Sequence, residues 1–579
     1  MTDASYPSSQ PTSRAQSQSA TSGDVKSRTD GGTILLHWVT AASMLASLLT
    51  GLRISADGQF TSWAKALEFA LPQGEMWTWH LLASLVLFFC TIAYFVYMRR
   101  AALSDRVGAA RLRTLTPPTT TKLRWRAINV ALHWFAYGAI AMLTLTGVVL
   151  YIGYGGWFVT IHKAFAWAML FYIAIHTLAH FLYGGLDQIL RLFRPQPLVE
   201  NATSRLWPMS VALAAGTVFA AGAYAIDSQT RPTTVVGVVD TAPTLDGNLS
   251  DPQWETARFA TMPTQQGANL GGGGESSVDV KAVRTSDMIY FAFVWDDPTR
   301  SLMRSPTIKK ADGWHVISTD AAIADVNDYY EDKFAVLFSH SDKLGGGKST
   351  FLGKDPLKAY PSSPHKRGLH YTDDGRVMDL WQWKSSRGGM TGHVDDMHFG
   401  PPKKPSKAQL AGKKRYAAGY ASDPGKAIYE YNYIADGPKG YESPVRLKRL
   451  PKDWVATTRA MGAVPLDADG HNDEGSIWWM NEENSVPYDA ALDQTIPLGT
   501  MLPSTLHLHT YQGDRADLAG GAKWKDGRWT LEVARKLDTG SAFDMAFHSG
   551  TRIYLWVSVF DHNQIRHTRH QRSIELIIQ

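Results

Sequence analysis

Five apolar runs, at about residues 34–54, 76–98, 128–152, 159–183 and 207–226, constrain the first part of this chain more than anything else in it. Each approaches the roughly 20 residues that an α-helix needs to cross a hydrocarbon layer about 30 Å thick. A helix is also the one open structure that satisfies its own backbone in lipid. The sequence therefore predicts a membrane four-helix bundle followed by a fifth transmembrane helix. Loop charge orients it. The loop 99–127 carries eight basic residues (Arg99, Arg100, Arg106, Arg111, Arg113, Lys122, Arg124 and Arg126) against the single acid Asp105, whereas 53–75 has two basic and three acidic residues. That loop is expected in the cytoplasm together with the N-terminus. The fifth helix then delivers the remaining chain to the outer side, which in a bacterial inner membrane is the periplasm.

The fourth run, IHKAFAWAMLFYIAIHTLAH at 161–180, contains three histidines. His162 and His176 are 14 residues apart, nearly four helical turns and roughly 21 Å of rise, so both project from one face at different depths. Histidine within a membrane span is costly and implies a partner. Neutral imidazole is an axial ligand of haem iron, and two stacked imidazoles can serve two haems, one per leaflet. His37 lies near the cytoplasmic end of the first span and His80 near the outer end of the second. Depth pairs His80 with His162 and His37 with His176. His133 is at cytoplasmic depth and can replace His37; His180, one turn beyond His176, can replace that residue. Otherwise these two are polar neighbours of a haem propionate or a quinone, or interfacial residues.

The only cysteine, Cys90, lies inside the second span, so the chain has no intramolecular disulfide, no CxxC zinc site and no CxxCH for covalent haem. Any haem is of b type. The formal charge of +5 draws much of its basic excess from one loop beside membrane spans, and no nucleic-acid partner is expected. Residues 1–30 read as a disordered cytoplasmic tail, rich in Ser, Thr and Gln. The divisions that follow are 31–195 for the bundle, 196–230 for a connector and the fifth helix, and 231–579 for an outer domain.

The motif His37-Trp38 with Thr50-Gly51 recurs as His133-Trp134 with Thr146-Gly147, both offset by 96 residues, which suggests a duplicated hairpin. These motifs, the histidine of the second span and the 14-residue pair of the fourth resemble the di-haem b-type cytochrome subunit of nickel–iron hydrogenases and formate dehydrogenases, over about residues 30–195. The resemblance implies two bis-histidine haems that move electrons between the quinone pool and an outer partner. Carried over by position, the haem-iron ligands are His37, His80, His162 and His176.

From about residue 232 the apolar period falls to two. Segments 278–283, 288–295, 333–338, 529–534 and 553–560 alternate as strands, with turn residues at 285–287 and Asp526-Gly527. Many short strands punctuated by Gly, Asp and Pro predict a β-sandwich, with long surface loops such as 400–426. TLDGNLSDPQWETA (244–257), MIYFAFVWDDPT (288–299), MDLWQWKSSR (378–387) and WKDGRWTLEVARKL (524–537) resemble the haem-binding domain of the ethylbenzene dehydrogenase gamma subunit. That resemblance implies one further haem b in the outer domain. Pro361-Ser362-Ser363-Pro364-His365 stands where some members place CxxCH, which makes His365 a candidate ligand. Members use a Met and a Lys, the latter near the C-terminus; this chain has no lysine there, and His570 can take that place. His370, Lys384, Met390 and His393 are spare candidates.

Other motifs carry less. GGGKST (345–350) lacks the first glycine of a Walker loop, since position 342 is Asp. Asp325, Asn327, Asp328, Glu331 and Asp332 lack EF-hand spacing and read as a solvated turn. His507 and His509 alternate on a strand without a third ligand. No hydrolytic set is present, so no catalytic residue is assigned. The chain reads as an electron-transfer component of a quinol- or quinone-linked oxidoreductase, working with a periplasmic redox protein or subunit. The rival reading is a di-haem anchor for a haem-free sandwich that binds a carbohydrate-like ligand, with exposed aromatics among Trp314, Trp381, Trp383, Trp478 and Trp479 as its face.

Overall fold

The computed structural model describes residues 29–56, 66–67, 70–72, 74, 76–116, 120–194, 206–318, 325–342, 370–372, 374–411, 416–463 and 471–579. Among the described residues five long helices come first: α1 (Gly31–Ala56), α2 (Met76–Arg100), α3 (Thr121–Tyr151), α4 (Trp157–Leu190) and α5 (Leu206–Gln229). All are long and apolar enough to cross a membrane. Their large side chains face outward rather than inward: Leu145 is 63%, Phe171 64% and Val218 69% exposed, as a surface meant for lipid requires. Inside, Leu48, Leu87, Ala139, Ile140 and Met169 pack α1 to α4 together. α5 stands outside that core against α2, where Gly216 leaves room for the Phe89 ring. α4 changes direction at Gly184 and Gly185, the latter at φ +63°, a backbone state that glycine reaches freely. The bend falls just beyond His180.

The rest is mostly strand. The principal strands are β1 (Thr233–Val238), β2 (Ala260–Thr264), β3 (Ser276–Arg284), β4 (Met288–Asp296), β5 (Lys333–Ser339), β6 (Met378–Lys384), β7 (Asp395–Phe399), β8 (Tyr420–Ser422), β9 (Ala519–Lys525), β10 (Arg528–Lys536), β11 (Arg552–Phe560) and β12 (Ile574–Ile578). They run in the order β8-β7-β6-β5-β11-β12-β1-β3-β4-β10-β9, with β2 on β3. β1 pairs with β12 through Thr233–Val236 and then with β3 through Gly237 and Val238, so the sheet folds over at this strand. Its two halves meet face to face. Phe291, Phe293 and Trp295 of one half pack on Phe334, Phe338, Trp381 and Trp383 of the other, forming a single aromatic core. The sandwich and every strand anticipated from the period of two are present. The β9–β10 turn has Asp526 and Gly527 both at positive φ, the geometry that a two-residue hairpin favours. The stretch 400–426 is not wholly loop, because Tyr420–Ser422 pairs with Phe399, His398 and Met397.

The β-domain rests on the α3–α4 end of the bundle. Gln265 Nε2 donates to the Leu150 carbonyl at 2.7 Å, and the side chains of Gln265 and Glu275 crowd Gly155 so closely that no Cβ would fit there. At the foot of α5, Asp227 accepts from Tyr151 at 3.2 Å and pairs with Arg572 at 2.9 Å.

Candidate functional site

Two groups of histidines lie at separate depths in the bundle, and the one nearer the β-domain is the simpler. Thr50 on α1 donates its hydroxyl proton to the Ala46 carbonyl at 2.7 Å, so its oxygen can only accept from Nδ1 of His80, 3.1 Å away on α2. The Ser47 carbonyl, 3.0 Å from the same nitrogen, imposes the same tautomer. Thr146 on α3 repeats this: it donates to Met142 at 2.7 Å and stands 2.9 Å from Nδ1 of His162 on α4. Both imidazoles therefore carry hydrogen on Nδ1 and keep the Nε2 lone pair free, the second-sphere arrangement of a metal-ligating histidine. The adjoining glycines admit the rings, since a Cβ on Gly51 or Gly147 would lie 3.1 Å or 3.4 Å from the respective Cε1. The two ring centroids are 6.4 Å apart. Two metal–nitrogen bonds of about 2 Å, plus about 1 Å from each nitrogen to its ring centre, give a span of roughly 6 Å. The observed centroid spacing is therefore of the size that one iron shared by the two rings would require.

The deeper group has four members. The histidine rings nearest His176 are those of His180 at 4.6 Å and His133 at 5.2 Å, and His133 and His180 are 6.5 Å apart. His133 Nδ1 donates to the Asn129 carbonyl at 2.5 Å, which again frees Nε2. Nδ1 of His176 is buried without a partner, and its ring stacks on Tyr172. His37 lies within electrostatic range of His133, His176 and His180, while its ring contact is with Trp38. Depth alone placed His37 and His176 together; it did not show that His133 and His180 close on the same space. The tryptophans of the repeated motif act alike, Trp38 donating to the Leu192 carbonyl and Trp134 to that of Val107, each at 3.0 Å.

In the β-domain the candidates do not converge. His365 lies outside the described residues. His570 has both ring nitrogens committed: Nε2 accepts from the Val557 N–H at 2.8 Å, and Nδ1 donates to the Arg572 carbonyl at 2.5 Å. As it stands it pins the C-terminal segment to β11 and offers no nitrogen to a metal. Lys384 is held in a buried ion pair with Asp395, and His370 stacks on Phe399 with ring centroids 4.9 Å apart. Met390 packs against the sandwich core, and His393 against Tyr511. Trp314, Trp381, Trp383 and Trp478 are at most 3% exposed, so four of the five aromatics proposed for a ligand-binding face belong to the interior.

Apolar helices that hold paired imidazoles at two depths, with a β-sandwich appended, define a membrane b-type cytochrome. Residues 28–195 match the family model described as prokaryotic cytochrome b561, which agrees with haem b in the membrane part and electron transfer as its work. Residues 251–572, more than half of the chain, match the model described as ethylbenzene dehydrogenase, and the chain belongs to that family. A comparison with curated proteins finds no match. Among solved structures, a family 9 carbohydrate-binding module from Caldicellulosiruptor kristjanssonii in complex with glucose aligns at 8% identity. That alignment covers 60% of this chain and 95% of the module, at a TM-score of 0.22. The same kind of module with cellotriose gives 9% identity, 60% and 93% coverage, and a TM-score of 0.20. Similarity at that level carries no functional argument.

Proposed function

We propose that this protein conducts electrons between the quinone pool and a redox partner on the periplasmic side of a bacterial inner membrane, with its N-terminus in the cytoplasm. A bound haem b supplies a one-electron centre; the chain fixes its position, axial nitrogens and dielectric. His80 and His162 are the ligands of the outer haem, and the observation that carries the reading is their pair of free Nε2 atoms across a 6.4 Å centroid gap, each ring locked by a threonine. His37 and His176 are the ligands of the inner haem, supported by the matched depths and by the 14-residue spacing on α4, with His133 and His180 as polar neighbours. His162 and His176 are separated by about 20 Å of helix rise along α4. The basic loop 99–127 supports the orientation. Support for a third haem in the β-domain is the family match; His365 is its candidate ligand and His570 is not.

A haem count on the purified full-length protein, by pyridine haemochrome and reduced-minus-oxidised spectra, tests this. Three b-type haems are expected, with one lost in each of His80→Ala, His162→Ala, His37→Ala and His176→Ala, and none in His133→Ala or His180→Ala. Two in the wild type would remove the haem of the β-domain. Fewer than two would overturn the reading.

A further inference from the structure

Two buried triads of aspartates lie in the β-domain, Asp297, Asp332 and Asp561 in one and Asp379, Asp396 and Asp544 in the other, each with three carboxylate oxygens within 4.8 Å of one another. They are built differently. In the first, backbone and side-chain donors fill the oxygens of Asp332 and Asp561: Ser301, His562 and Trp529 bond the former, Leu270 and Thr299 the latter. Only Asp297 Oδ2 is left over.

In the second, every aspartate has one oxygen occupied and one buried without a partner. Asp379 Oδ2 takes Arg535 and the Met545 N–H, Asp396 Oδ1 the Met397 N–H, and Asp544 Oδ2 the Thr539 hydroxyl. The oxygens that remain, Asp379 Oδ1, Asp396 Oδ2 and Asp544 Oδ1, have no hydrogen-bond donor. A fourth carboxylate, outside the triad, joins them. Asp423 follows β8, is 3% exposed, and bonds His398 through Oδ1 at 2.5 Å. Its Oδ2 is likewise unpartnered, and its carboxylate reaches that of Asp544. One guanidinium and one imidazole answer these four carboxylates, so two negative charges stay unmatched even with His398 protonated. Four carboxylates thus each keep one buried oxygen without a donor, and their negative charge exceeds the positive charge beside them.

We propose that Asp379, Asp396, Asp423 and Asp544 bind one calcium ion. Four oxygens of one hard type select a hard cation over zinc or copper. Calcium tolerates an irregular cage of carboxylates drawn from separate segments, whereas magnesium demands a near-ideal octahedron and keeps several of its waters. Second carboxylate oxygens or water complete the six to eight ligands that calcium takes. The ion ties β6, β7, the segment after β8 and the loop between β10 and β11 at one point, and its two charges match the two left over.

The test uses the full-length protein in detergent. Metal analysis after gel filtration in calcium-free buffer should find one calcium per chain. Thermal unfolding followed by tryptophan fluorescence should shift upward by roughly 5 °C between a calcium chelator and saturating calcium. Magnesium at the same concentration should not reproduce the shift. Asp396→Asn and Asp544→Asn should abolish it, whereas Asp297→Asn in the other triad should keep it. If the wild type holds no calcium and unfolds alike with calcium and with chelator, shared protons neutralise the cluster and the proposal fails. It fails equally if Asp297→Asn is the variant that loses the metal. Should the Asp396 or Asp544 variants not fold, the metal content and melting of the wild type still decide the matter.

Discussion

The hydroxyl of Thr146 accepts a hydrogen bond from Nδ1 of His162 at 2.9 Å, and Thr50 does the same for His80. Since each threonine spends its own proton on the carbonyl four residues back, the bond has one direction, and it leaves Nε2 as the only basic nitrogen of the ring. Thr146→Val keeps the shape and removes the acceptor. Loss of such a supporting bond lowers metal affinity by about 10- to 100-fold. Haem titration of the variant apoprotein should show that loss at one of the membrane sites and leave the other unchanged; equal affinities at both would show that Thr146 does not hold the ligand.

Gly51 and Gly147 occupy equivalent places beside these rings but leave unequal space. An added Cβ would stand 3.1 Å from His80 Cε1 at Gly51 and 3.4 Å from His162 Cε1 at Gly147. The second is ordinary contact, and alanine in a helix interior is favoured over glycine by about 1 kcal/mol. Gly147→Ala is therefore expected to keep both membrane haems with stability equal to or above wild type. Gly51→Ala should displace the His80 ring by a few tenths of an ångström, visible as a shifted or broadened α-band of one haem. The ordering of the two variants is the prediction, and a larger perturbation at Gly147 would contradict it.

What the sequence disclosed and what it hid follow from the range of the interactions. Run length and loop charge are local, so the five helices were readable, and the alternation in β3, β4, β5, β10 and β11 was local too. The offset repeat of His-Trp and Thr-Gly was visible, but its purpose was not, because each threonine serves a histidine on the next helix. Depth orders histidines along the membrane normal and says nothing of their placement around the bundle, which is why it left His133 and His180 as alternatives to His37 and His176. Glu331 and Asp332 read as part of a solvated turn and are instead fully buried, since their partners Arg304, Arg387, Ser301 and Trp529 come from distant segments. His570 looked like a ligand by position; its two backbone bonds depend on the pairing of the C-terminus with β11.

Burial pushes His570 down to about 4, against the pull of the Arg572 carbonyl. The unfolded side chain titrates near 6.5, so between these values the unfolded chain binds the extra proton. The contribution of His570 to stability is thus complete above about pH 6.5 and is lost as the pH falls toward 4, with a full size of about 3 kcal/mol. Glutamine can replace both hydrogen bonds but does not titrate. Chemical unfolding of wild type and His570→Gln at pH 7 and pH 4.5 should show the wild type losing about 2–3 kcal/mol more than the variant over that interval. Parallel losses would mean that this ring is protonated in the native protein.

Glu331 makes the strongest case for a single change that unfolds the β-domain. It is fully buried, and its Oε2 accepts from the Ser386 N–H at 2.9 Å, the Ser386 hydroxyl at 2.8 Å and the Arg387 N–H at 3.1 Å. Its other oxygen pairs with the Arg387 guanidinium and lies 3.8 Å from Arg304. Burial opposes its charge, but Arg387 and Arg304 hold the carboxyl below the usual range. Arg304 needs this anion, because its Nε and one Nη have no hydrogen-bond acceptor and its remaining company is the faces of Tyr431 and Tyr429. Removing one partner of a buried pair costs roughly 3–5 kcal/mol, chiefly because the other charge stays buried. Glu331→Gln should lower the unfolding free energy of the β-domain by about that amount. Adding Arg387→Met should return part of the loss, since fewer cations are then left unmatched. Denaturant unfolding followed by tryptophan fluorescence measures both. A single variant within about 0.5 kcal/mol of wild type, the range of an ordinary surface change, would show that the two arginines are neutralised from elsewhere.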